Sequence, residues 1–211
     1  MTIKYDKITL PLLRKELFMI YVALFIQNDS VSHSEESIIA RALLSDLYKK
    51  VFGEKIPEIK KCKLGKPYFD FQDAPPFSIS HSDGAVAVAL SNEKGEVGID
   101  IQSKIDEEKR ARISRRFPFV KERVFKELSD VCFFKATLNS GNFSFEEFSE
   151  SPCQKSDFTL YWTSTEAILK AEGGGFTSAK KLDELEKTHE VSSFLIGDFY
   201  ISITKQTEIC K

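Results

Sequence analysis

Glu166 and Lys170 lie four residues apart in the run Trp162-Thr163-Ser164-Thr165-Glu166-Ala167-Ile168-Leu169-Lys170. On a helix, that spacing stacks both side chains on the side that also carries Trp162. A carboxylate followed one turn later by an ammonium group suits metal-assisted phosphate chemistry. The carboxylate can bind Mg²⁺, and the ammonium group can neutralise a phosphate oxygen. A purely structural role fits the same residues. Thr163-x-x-Glu166 matches a helix capping box, and Glu166 with Lys170 forms an i,i+4 pair of about 0.2–0.5 kcal/mol.

A second stretch runs from Phe77-Ser78-Ile79-Ser80-His81-Ser82 to Gly98-Ile99-Asp100-Ile101-Gln102. Strand alternation puts Asp100 and Gln102 on one face and Ile99 and Ile101 on the other. Gly98 thins the strand just before Asp100, whose neighbours are apolar. A carboxylate there either meets a cation or suffers desolvation, unless it serves as a turn or capping residue. Asp100 and Glu166 together supply the one or two carboxylates that Mg²⁺ takes alongside water and substrate phosphates. His81 is expected in a Ser-His-Ser turn whose hydroxyl and N–H groups could grip a phosphate, although an ordinary surface histidine explains it as well. Lys66, stiffened by Pro67, is either a phosphate-reaching cation or a plain surface lysine.

The elements that must position these groups belong to an ordinary globular chain. Of 211 residues, 42% are hydrophobic and 29% charged, and 18 are Phe. Those values allow one domain or two small ones with a sizeable core and argue against disorder. A net charge of -2 gives no reason to expect a nucleic-acid or membrane partner. Cys62, Cys132, Cys153 and Cys210 form no CxxC pair and the three histidines are scattered, which favours neither zinc nor disulfides and points to a reducing cytosol. Leu17–Ile26 is too short to span a bilayer, has no cleavage site nearby, and is expected as a buried strand.

A helix is expected over about 35–52, with a capping box at Ser32 and Glu35 and a stop at Gly53. Leu44, Leu47, Tyr48 and Val51 form its apolar face, with Arg41 at the edge. Residues 61–76 read as irregular. Strands follow at 77–80, 85–91 and 96–102, the last two as a hairpin across Asn92–Gly95. Residues 104–130 are rich in charge and helix formers, and 139–157 reads as a polar loop or insertion. A helix over about 164–172 stops at Gly173-Gly174-Gly175, and a hairpin turns at Gly197-Asp198.

In order and approximate spacing, Gly65-Lys66-Pro67, Phe77-x-Ile79-Ser80-His81-Ser82, Gly98-Ile99-Asp100-Ile101 and Trp162-x-x-x-Glu166-Ala167-x-x-Lys170 resemble the 4′-phosphopantetheinyl transferases of the longer, Sfp-type group. The resemblance runs from about Met19 to Ile203 and is thin over 118–160 and at the C-terminus. It implies an α+β fold of two similar α/β halves, 1–103 and 104–211. These would be related by pseudo-twofold symmetry, with the active site in the cleft between them. It also implies transfer of the 4′-phosphopantetheine group from coenzyme A to a serine of an acyl or peptidyl carrier protein, releasing adenosine 3′,5′-bisphosphate.

By the same resemblance, Asp100, Gln102 and Glu166 hold Mg²⁺, and Glu166 and Lys170 are catalytic. Coenzyme A contacts Arg41, Lys66, Ser80, His81 and Lys170. Two positions depart from the family pattern. Gln102 stands where a Glu is usual, which removes one negative charge, and Thr165 stands where a Lys is usual, which removes one cation. An acidic carrier is expected to dock on Arg112, Arg115, Arg116 and Phe117, in a segment that also carries Phe119, Val120, Lys121, Arg123, Phe125 and Lys126. A monomeric, cytoplasmic enzyme is the expectation. A non-catalytic coenzyme A or carrier-protein binder on the same fold is the alternative.

Overall fold

The computed structural model describes residues 19–27, 32–122, 128–153 and 157–207. Within them the chain is a mixed α+β protein with three sheets and four α-helices. Its first strand, β1 (Ile20–Ile26), sets the layering. Tyr21, Ala23 and Phe25 face one core, and Ile20, Val22 and Leu24 face another. A strand buried on both faces must lie between two layers.

One of those layers is α1 (His33–Phe52), which packs Leu43, Leu44, Leu47 and Tyr48 against the first core. Its start is fixed by the expected capping box. The Ser32 hydroxyl accepts the Glu35 N–H, and Glu35 accepts the Ser32 N–H at 2.8 Å. Its end is Gly53 at φ 76, a left-handed position that favours glycine. Val51 is half-buried beside that core.

The central sheet has the order β4-β5-β1-β7-β8. Its other strands are β4 (Phe77–Ser82), β5 (Ala85–Ser91), β7 (Val131–Asn139) and β8 (Asn142–Phe148). β1 and β7 are parallel, and the remaining pairs are antiparallel. The second sheet is β6-β10-β9, formed by β6 (Val97–Ser103), β9 (His189–Ile196) and β10 (Phe199–Gln206). Ile99, Ile101, Ile201 and Ile203 face β1 across the second core. The far side of that sheet carries α3 (Phe158–Glu172). A short pair, β2 (Ile59–Lys61) with β3 (Pro67–Phe69), occupies part of the segment expected to be irregular.

Several expectations need correction. β5 and β6 are not a hairpin. Both hydrogen-bonding edges of β5 are taken, by β4 and β1, so β6 crosses to the other sheet and pairs with β10. The hairpin is β4–β5, through Asp83 and Gly84 at φ 52 and 81, and His81 lies in β4 rather than in a turn. Asp-Gly with both φ positive is the two-residue turn whose twist matches the flanking strands. Residues 142–148 form an edge strand, not a loop. Its outward positions are polar, which hid the alternation of Phe143 and Phe145.

α3 starts at Phe158, earlier than expected, capped by Asp157, whose side chain accepts the Thr159 N–H at 2.8 Å. Thr163 is therefore interior and caps nothing. The terminal hairpin is as expected and somewhat longer. Strand pairing crosses residue 103 at β1·β7 and at β6·β10. Among the described residues, no helix is long and apolar enough to cross a membrane.

Candidate active site

The site begins with a glycine. A Cβ on Gly98 would lie 2.0 Å from the Ala167 carbonyl oxygen and 2.9 Å from the Ala171 nitrogen. Only a residue without a side chain lets α3 settle directly on β6. That contact puts Glu166 and Lys170 over the strand face that bears Asp100 and Gln102.

β6 is an edge of its sheet, so alternate backbone N–H groups lack a strand partner. Serines of β4 supply one. Ser78 Oγ accepts the Ile99 N–H at 3.1 Å, and Ser80 Oγ accepts the Ile101 N–H at 3.2 Å. Ser82 Oγ accepts from the Gln102 amide at 2.9 Å. Hydroxyls thus tie the two sheets together where a sixth strand pairing would otherwise be needed.

Ser80 then serves the charges. It donates to Asp100 Oδ1 at 2.8 Å and accepts from Lys170 Nζ at 2.8 Å. Lys170 Nζ also reaches Asp100 Oδ1 at 2.6 Å. With the Ile101 N–H, one donor and two acceptor positions of the hydroxyl are all used. Ser80 therefore positions the Asp100–Lys170 pair and has no capacity left for a substrate in this arrangement. Asp100 is 3% exposed, so the ammonium group is what makes its burial tolerable.

Glu166 is close enough to Asp100 to hydrogen-bond with it, and its pKa is pushed up to about 8. Burial is the largest cause and the Asp100 charge the next, with Lys170 and Lys109 pulling the other way. Two carboxyl groups thus share one place, as the spacing of Asp100 and Glu166 in the sequence alone does not reveal.

The donor set fits a hard divalent cation. It offers two carboxylates and, two residues along the same face, the Gln102 amide, whose nitrogen end is held toward β4. Hard cations such as Mg²⁺ take such oxygens together with water. Among the described residues, no group of three or more His, Cys, Asp or Glu side chains converges on a metal-sized site. Thr165 is 1% exposed and its hydroxyl donates to the Tyr161 carbonyl at 2.8 Å, so this helix position faces the interior.

The remaining expected residues divide between two helices. Lys66 lies at the C-terminal end of α3, bonded to Glu96 and to the Ala171 carbonyl. With Lys170, Phe77, Ser78 and Leu169 it lines a cavity of about 250 Å³. His81 is held instead by α1, with Nδ1 at 2.9 Å from Glu36 and Nε2 at 3.4 Å from Ser37 Oγ. Arg41 is exposed, one turn beyond Ser37 on α1.

The expected docking residues sit on or just after α2 (Glu107–Arg116), which buries only Ile113. Arg112, Arg115 and Arg116 are exposed. Phe117 stacks on Phe176 at 4.3 Å and packs near Trp162 at 5.5 Å. Arg123, Phe125 and Lys126 lie outside the described residues.

Sequence reasoning missed Glu36, Ser78 and Lys109. Glu36 is a buried carboxylate inside a helix pattern that gave it no distinction, and Ser78 and Lys109 matter only through a hydrogen bond and a charge brought to bear across the fold.

No family model matches the chain. Over 166 residues, 72% of the chain, it is 28% identical to a protein of Aneurinibacillus migulanus named 4′-phosphopantetheinyl transferase gsp. Over 72 residues, 33% of the chain, it is 39% identical to an uncharacterized protein, YieE, of Escherichia coli strain K12. The chain spans 59% of the length of the first and 28% of the second. The first of these distant likenesses carries the name of the family whose motifs the sequence resembles.

Proposed function

We propose that the chain transfers the 4′-phosphopantetheine group of coenzyme A to a serine of an acyl or peptidyl carrier protein, with Mg²⁺, on an Sfp-type pseudo-twofold fold. The observation that carries this reading is the meeting of Asp100 with Glu166 and Lys170 of a distant helix: Lys170 bonds to Asp100 and to the Ser80 hydroxyl, and Glu166 lies beside Asp100. The distant likeness to a named phosphopantetheinyl transferase supports it.

Asp100, Glu166 and the Gln102 amide oxygen would hold Mg²⁺, which when bound neutralises charge on the pyrophosphate oxygens. Lys170, already aligned by Ser80 and Asp100, stabilises charge on a phosphate oxygen. Glu166 accepts the proton of the carrier serine. In the metal-free site that carboxyl keeps its proton to about pH 8, and a divalent cation beside it would favour the ionised form that a base requires. The serine oxygen bonds to the β-phosphorus, the bond from that phosphorus to the bridging oxygen breaks, and adenosine 3′,5′-bisphosphate leaves. Positioning and charge neutralisation are the protein's main contributions. His81 and Lys66 hold the 3′-phosphate end of coenzyme A, with Arg41 assisting. An acidic carrier docks on Arg112, Arg115, Arg116 and Phe117.

The test is transfer to an apo carrier protein, read as a mass increase. Asp100→Ala and Glu166→Ala abolish it while the fold persists, and undiminished transfer by both variants rules the metal site out. Charge reversal at Arg115 and Arg116 raises KM for the carrier and leaves KM for coenzyme A unchanged. Equal effects on both substrates contradict the docking face. The inward-facing Thr165 and the uncharged Gln102 favour one second reading, a coenzyme A binder without turnover. Tight coenzyme A binding with no transfer to any carrier selects it.

A further inference from the structure

His81 is held by a residue that none of the sequence motifs contains. Glu36 of α1 is 5% exposed. One of its oxygens accepts the Gly84 N–H at 2.7 Å, and the other lies 2.9 Å from His81 Nδ1. A carboxylate has no proton to give, so the hydrogen on that short contact belongs to Nδ1. The Asp83-Gly84 turn supplies the first contact and the strand just before it carries His81, so one carboxylate fixes both the turn and the ring.

The other ring nitrogen is less committed. Nε2 lies 3.4 Å from Ser37 Oγ, which is long for a hydrogen bond. The Ser37 hydroxyl is also 3.1 Å from the His33 carbonyl oxygen and donates there. His33, Ser37 and Arg41 are successive members of one i,i+4 stripe on α1. The His33 ring meets His81 edge to face at 4.6 Å. Nε2 therefore borders a polar, cation-bearing stripe, the surroundings that a phosphate monoester needs.

We propose that Glu36 is the positioning residue of an anion subsite: it holds His81 through Nδ1–H and so turns Nε2 toward the His33–Ser37–Arg41 stripe, where it donates to a phosphate monoester of the substrate. This rests on the coenzyme A reading, whose 3′-phosphate is such a group. With the anion bound, the ring donates at both ends, to Glu36 and to the phosphate. Glu36 itself touches neither the substrate nor the reacting atoms.

Glu36→Gln separates positioning from scaffolding. Its amide oxygen can still accept the Gly84 N–H, but its amide nitrogen then donates to Nδ1 and imposes the opposite tautomer. The experiment records ¹⁵N–¹H imidazole spectra of His81 in the full chain. Calorimetry follows with coenzyme A and with its analogue lacking the 3′-phosphate. The expected wild-type ring is protonated at Nδ1, and Glu36→Gln moves that proton to Nε2. Affinity for coenzyme A falls about three- to tenfold, the scale of exchanging a cationic donor for a neutral Nε2–H at the phosphate, and affinity for the analogue is unchanged.

A wild-type ring lacking the Nδ1 proton overturns the proposal whether or not the variant folds. So does a variant whose His81 spectrum is unaltered, or one that loses equal affinity for both ligands. Failure of the wild type to bind coenzyme A contradicts the functional reading instead, while the imidazole spectra still decide the role of Glu36.

Discussion

α1 and α3 both cover a sheet, but they do so with opposite chemistry. α1 rests on Leu43, Leu44, Leu47 and Tyr48, an apolar layer that fills volume. At the equivalent depth α3 presents Thr163 and Ser164, which meet Ser193 and Ser202 through hydroxyl contacts of 2.8 to 3.2 Å. It also presses its backbone onto Gly98. Apolar packing stabilises without fixing a helix to the nearest tenth of an ångström, since cores adjust to changes of shape. Directional hydroxyl contacts and a backbone-to-backbone approach define the height and rotation of α3 more narrowly. The helix that carries Glu166 and Lys170 is the one held in this second way.

The sharpest way to break this contrast is to alter one position in each interface. Gly98→Ala puts a methyl group into the α3 backbone. The expected loss is about 2–4 kcal/mol of stability, and transfer activity falls at least a hundredfold even where the protein remains folded. Leu47→Ala costs a similar amount, about 2–5 kcal/mol, but leaves kcat within about twofold once folding is allowed for. Denaturant unfolding alongside the transfer assay separates the two. Equal activity losses at equal stability would show that α3 is no more finely placed than α1.

A smaller effect comes from Ser202, the hydroxyl shared by Thr163, Ser164 and Ser193. Ser202→Ala leaves those groups short of a partner at a cost of about 1–3 kcal/mol. Because the whole cluster lies under α3, kcat falls with little change in KM for coenzyme A. A pure stability loss with unaltered kcat would reduce the cluster to packing.

The pH response of the metal-free protein sharpens the comparison further, since α3 carries a buried carboxyl whose pKa is raised. Glu166 has its pKa raised from 4.5 to about 8 by burial and by Asp100. Between those values the folded chain keeps a proton that the unfolded chain has released. Stability from this group is therefore full below about pH 4.5 and is lost as pH rises through about 8. Chemical denaturation across that range shows the decline in the wild type. Glu166→Gln removes this part of the slope, and an unchanged slope places the buried proton elsewhere.

Legibility in the sequence follows the same divide. α1 could be bounded almost to the residue, because Ser32, Glu35 and Gly53 are local signals acting within one turn. The start of α3 was misplaced because Thr163 and Glu166 mimic a capping box, whereas Asp157 is the cap and Thr163 bonds to Leu160 and Ser202. The hairpin assigned to β5 and β6 failed because both edges of β5 are occupied, one by the preceding strand β4 and the other by β1 from far back in the chain. Asp100 and Glu166 were visible as residue types, and the Gly98 that lets them meet was recognised as thinning its strand. Ser78 and Glu36 were not, since a hydroxyl closing a sheet edge and a carboxylate holding a histidine have no pattern of their own.

Calorimetry of coenzyme A binding, with and without Mg²⁺, tests the Asp100–Glu166 pair most directly. Mg²⁺ should tighten binding to the wild type by at least tenfold and have no such effect on Asp100→Ala. Binding that ignores Mg²⁺ in the wild type, or an Mg²⁺ effect that survives the loss of Asp100, would contradict the account.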